Sequence, residues 1–79
     1  MATPLGPEAS ARYAARLLEQ ISPQLDDAGL AALADEASQQ ALAEGLLLDR
    51  AAVLSRFRWK RHLEQIRQAV RAEPPMTRD

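Results

Sequence analysis

The sequence predicts a small all-α protein: a three-helix bundle with helices over about 7–21, 27–44 and 50–72 and frayed termini. Three observations predict it. Hydrophobic residues make up 47% of the chain and aromatics only 4%, and much of the apolar share is alanine, the best helix former and the poorest core filler. Two segments open with an acidic cap flanked by a spaced pair of apolar residues. Proline and glycine fall between the stretches of helical periodicity rather than inside them.

The first helix is expected to start at Gly6-Pro7-Glu8, with Pro7 at the first helical position and Glu8 where the helix dipole favours a carboxylate. Ala14, Leu17, Leu18 and Ile21 fall on one stripe, with Tyr13 at its edge. Ser22-Pro23 ends the helix, because a residue before proline avoids the helical region. The second helix takes Asp26 as N-cap, and Leu25 and Leu30 have the spacing of a hydrophobic staple. Its buried stripe is Leu30, Leu33, Ala34, Ala37 and Ala41, and Gly45 is its C-terminal stop. The third helix repeats the device, with Asp49 as cap and Leu48 and Val53 as staple, until Pro74-Pro75 forbid continuation.

Seventy-nine residues make one domain, read here as 7–73, with a disordered N-terminus over 1–6 and a flexible tail over 74–79. A chain this short buries only roughly 60% of its unfolded surface, so a partner would help it. The absence of cysteine rules out disulfides and thiolate metal sites and fits a reducing compartment. Met1 to Pro7 has neither a basic region nor an apolar run of signal-peptide kind, and Leu46-Leu47-Leu48 is far short of a membrane span. The expected location is the cytoplasm, with no membrane partner. Heavy use of Ala, Leu and Arg beside a single lysine has the style of a high-GC bacterial gene.

The third helix carries two apolar faces. Ala52, Trp59, Leu63, Ile66 and Val70 form one stripe, and Val53, Leu54 and Phe57 lie about 150° away at 100° per residue. Either the helix is wedged or kinked so that both faces are internal, or one face is internal and the other docks on a second chain. Leu17, Ile21, Leu33, Leu63 and Ile66 are the expected core, and an ordinary core role is also the simpler reading of Trp59.

Charge is segregated beneath a net of −1. Residues 1–49 hold eight acids (Glu8, Glu19, Asp26, Asp27, Asp35, Glu36, Glu44, Asp49) and two bases (Arg12, Arg16). Residues 50–72 hold seven bases (Arg50, Arg56, Arg58, Lys60, Arg61, Arg67, Arg71) and one acid, Glu64. Arg56, Lys60, Arg67 and Arg71 share one flank of the third helix, and Arg58 and His62 share the other. Such a helix suits an acidic surface, which could be the chain's own first two helices, an acidic protein or nucleic-acid phosphate. Solvated arginines whose stems cover apolar surface are the plainer alternative.

Chemistry-bearing motifs are absent. A helix-turn-helix about Gly45 would enter the third helix with Arg50-Ala51-Ala52-Val53-Leu54, one polar side chain where base readout needs several. His62 is the only histidine and cannot assemble a metal site. Asp26-Asp27 and Asp35-Glu36 are a cap and a solvated face rather than a calcium loop. Neither an enzyme nor a cofactor or small-molecule substrate is expected.

The functional expectation is a non-enzymatic protein-interaction module: a homodimer, or a small subunit or adaptor of a larger complex. It would use Phe57, Trp59, Arg56, Lys60, Arg67 and Arg71. The alternative is a small nucleic-acid-binding or transcription-related regulator working through the same basic helix.

Overall fold

A computed structural model describes residues 2–72. Its elements run β1 (Thr3–Pro4), α1 (Pro7–Ala14), a 3₁₀ segment (Ala15–Gln20), α2 (Asp27–Ala43), β2 (Leu46–Leu47) and α3 (Arg50–Ala72). The three expected helices are present, and the fold is all-α apart from one two-stranded contact. The expected tail over 74–79 lies outside the described residues.

The capping chemistry sets the helix starts. The Asp26 carboxylate accepts from the Gly29 amide at 2.8 Å and its carbonyl from the Leu30 amide, opening α2 at Asp27. Leu25 packs against the core beside buried Leu30. A Cβ on Gly29 would come within 2.5 Å of the Leu25 Cδ1, so a side chain there would push Leu25 from its place in the staple. Asp49 opens α3 in the same manner, accepting from the Ala52 amide at 3.3 Å, with Leu48 and Val53 both buried. Gly45 ends α2 at φ +78°, a left-handed conformation that glycine takes without a Cβ penalty.

Two expectations about the first twenty residues need correction. The first helix does not stay α-helical to Ile21: Ala15–Gln20 winds as 3₁₀, and Ile21 turns extended at φ −89°, ψ 118°. Tightening to i→i+3 bonds is how a helix closes its last carbonyls when Ser22-Pro23 bars another α-turn. Leu17 and Ile21 still reach the core.

Residues 2–6 are ordered rather than disordered. Thr3 and Pro4 pair in parallel with Leu46 and Leu47, the Thr3 amide donating to the Gly45 carbonyl and the Leu5 amide to the Leu47 carbonyl, each at 2.8 Å. Pro4 needs no ladder donor, since its neighbours on either side supply both bonds. Ser10, fully buried on α1, secures this junction. Its hydroxyl accepts from the Asp49 amide at 2.8 Å and donates to the Leu5 carbonyl at 3.4 Å, tying the N-terminal strand, α1 and the start of α3 together.

The core holds Leu17, Ile21, Leu30, Leu48, Val53 and Phe57 with four alanines, Ala14, Ala34, Ala37 and Ala41. The alanines of α2 let its neighbours approach closely, and Phe57 is the one large aromatic at the centre. Polar contacts brace the periphery. Tyr13 donates to Glu44 at 2.9 Å, and Arg16 donates to both the Tyr13 oxygen and Gln40. Withdrawal from water and the bond to the Glu44 carboxylate push the Tyr13 hydroxyl up from its ordinary pKa. None of the described helices is long and apolar enough to cross a membrane.

Candidate docking face on the third helix

α3 is a continuous helix of 23 residues, and its two apolar stripes have opposite fates. Val53 and Phe57 face α1 and α2 and are wholly buried. Continuing along that face, the next residues are Arg61, Glu64, Gln68 and Arg71. The inward face therefore turns polar one helical turn after Phe57, and the bundle stops there. Every residue from Gln65 to Arg71 is exposed, so the last part of α3 runs on past the core.

The other stripe points outward. Trp59 is 52% exposed, Ile66 48% and Val70 70%, with Leu63 half-buried between them. This corrects the expectation that Trp59, Leu63 and Ile66 form the core, and neither a wedge nor a kink internalises both faces. Conversely Phe57, expected to meet a partner, is fully buried and cannot reach one without opening the bundle. Leu33 is half-buried at the core's margin rather than enclosed.

Residues 59, 63, 66 and 70 alternate spacings of four and three, the a/d rhythm of a helix–helix seam. Backward, the rhythm reaches Arg56 and Ala52. A shallow groove between α1 and α3, lined by Pro7, Ala11, Ala52, Ser55, Arg56 and Trp59, leads into the stripe. At 1.5 Å per residue the four large side chains span about 16 Å. The His62 ring lies beside Trp59, with centroids 6.0 Å apart.

The basic residues divide by engagement. Arg50 pairs with Asp35 at 2.9 Å, and Arg61 reaches Asp27 at 2.9 Å and the Leu25 carbonyl at 3.0 Å. These two pin α3 to the acidic half of the chain. Lys60 and Arg67 both converge on Glu64, at 2.9 and 3.1 Å. Lys60 is consequently three-quarters covered. The Lys60 hydrogen bond, aided by the charges of Lys60, Arg67 and Arg71, outweighs desolvation and holds the Glu64 carboxyl below the ordinary glutamate value. Arg56 and Arg58 are exposed and make no ion pair among the described residues, and Arg71 is exposed.

Part of the charge segregation is thus answered inside the fold. What remains is an apolar line with Arg56, Lys60 and Arg67 along one edge and Arg58 and His62 toward the other. No group of three or more His, Cys, Asp or Glu able to hold a metal occurs among the described residues. Ser10 and the Tyr13–Arg16–Glu44 network escaped sequence reasoning, because a serine or tyrosine in an alanine-rich helix carries no pattern of its own. No protein-family model, curated protein or solved structure matches this chain.

Proposed function

We propose that the protein is a non-enzymatic interaction module, an adaptor or small subunit acting in the cytoplasm, that receives a partner chain along the outward stripe of α3. The alignment of Trp59, Leu63, Ile66 and Val70 on one exposed line carries this reading. Scattered exposed apolar residues are ordinary on any surface, but four in a/d register on a helix that overruns its own core are positioned for a second helix. Trp59, at the N-terminal end of the line, is the residue type that dominates interface energetics.

The basic helix supports the nucleic-acid reading less well. Four of its seven cations are engaged by carboxylates. The unpaired Arg56 and Arg58 lie on different sides of an apolar line, not on one phosphate-tracking row.

The test is affinity capture from the native host with the parent chain and Ile66→Glu, followed by reconstitution with each captured protein purified. Ile66 is half in water, so the variant should keep its fold. A partner that binds the parent and loses at least tenfold affinity for Ile66→Glu supports the reading. A parent that stays monomeric to millimolar concentration and captures nothing refutes it.

A further inference from the structure

We infer that the occupant of this stripe is an amphipathic helix of a different chain whose edges are acidic, rather than a second copy of this protein. The inference rests on the interaction reading above and adds the chemistry of the partner.

A second copy is a poor match for electrostatic reasons. In a parallel pairing about the 59–70 seam, a positions meet each other, and Arg56 would be set against Arg56 of the second copy with no carboxylate between them. Lys60 and Arg67 would sit beside Ser55 and His62 of the second copy, and neither can accept an ion pair. In an antiparallel pairing like edges meet, so Lys60 of one copy lies beside Arg67 of the other. Glu64 is the only acid in α3, and it is already held by Lys60 and Arg67 of its own helix. The remaining route is a second copy's acidic α2. There Asp27 is taken by Arg61 and Asp35 by Arg50, which leaves Glu36 as the one α2 carboxylate without an ion pair among the described residues, and the outward face offers Ala28, Ala32 and Ala43 with one large apolar residue, Leu42. A helix with apolar a/d positions and glutamates or aspartates beside them matches both features at once. It would cover the stripe and complement an edge on which three cations, Arg56, Lys60 and Arg67, share the single carboxylate of Glu64. The exposed stripe amounts to only on the order of 300 Å² of apolar surface, well short of the roughly 800 Å² per partner of a stable interface, so the edges must take part.

The chain supplies its own probe, since Trp59 is the only tryptophan and half of it faces water. The experiment follows Trp59 emission with light scattering. The probes are two designed 21-residue helical peptides that share a Leu/Ile seam and carry either Glu or Lys at the e and g positions. Further arms are the protein alone over a concentration series and phosphatidylglycerol vesicles. The Glu-edged peptide should shift Trp59 emission to the blue and bind on the order of tenfold more tightly than the Lys-edged one, with the difference shrinking as salt rises. Arg56→Glu/Arg67→Glu, with helicity checked by circular dichroism, should reverse the preference between the peptides. Equal affinity for both peptides overturns the acidic-partner inference and leaves the interaction reading standing. So does a dimer of the protein alone with a concentration-dependent blue shift. A blue shift on vesicles with none on the Glu-edged peptide overturns both.

Discussion

Phe57→Ala and Ile66→Ala form the sharpest test of which face of α3 is the core. Phe57 is 0% exposed at the meeting point of all three helices. Truncating it removes the whole aromatic ring from water-free packing and leaves a cavity that alanine-rich neighbours cannot fill, a loss of about 3–5 kcal/mol. A domain of this length holds roughly 4–12 kcal/mol in total, so Phe57→Ala removes about a quarter of its stability at the least. Ile66→Ala deletes three carbons worth about 0.8 kcal/mol each when buried. Ile66 is 48% exposed, which halves that, and alanine's better helix propensity returns about 0.4 kcal/mol. The net cost is under ~1 kcal/mol. With a urea m-value of about 1 kcal/mol/M, the midpoint followed by circular dichroism at 222 nm should fall by ~3 M or more for Phe57→Ala, or the chain should not fold. For Ile66→Ala it should move by less than ~1 M. An Ile66→Ala midpoint that drops as far as that of Phe57→Ala would refute the assignment of inner and outer faces.

Ser10→Ala should destabilise by about 1–3 kcal/mol, because the Asp49 amide loses its acceptor where the hydroxyl is wholly buried, and amide exchange at Asp49 should accelerate. Acid should weaken the last turns of α3. The Glu64 carboxyl lies below its ordinary value of 4.5 in the folded chain, so its stabilising share is complete above that pH and is lost as pH falls through the lower folded value. Glu64→Gln should flatten this acid limb in a pH series of urea midpoints. An unchanged limb would place the acid sensitivity elsewhere.

Much of the fold was legible because its signals are local. Asp26 and Asp49 cap helices by bonding amides three residues away, Gly45 takes a backbone conformation other residues resist, and Pro23 bars helix in the residue before it. Each acts within a few residues of chain, so the helix starts could be read without knowing what packs on what. The candidate docking face was legible only in part. Periodicity showed that α3 has two apolar stripes and named their members, but a stripe carries no label for inside or outside.

The choice between them was made by tertiary structure. Val53 and Phe57 fall on the side from which the Asp49 cap, held by buried Ser10, lets α3 meet α1 and α2. Trp59, Leu63, Ile66 and Val70 make the longer stripe and looked like the core, yet its Ile66 and Val70 end lies where α3 has run past the core and nothing among the described residues encloses it. The strand pairing of Thr3 and Pro4 with Leu46 and Leu47 was invisible for a related reason, since it depends on two segments over forty residues apart meeting across the bundle. By itself the sequence determined where each helix begins and where the second one stops, because caps and breakers are contacts along the chain. Only the tertiary structure decided which side of α3 faces water, because burial depends on neighbours that are remote in sequence.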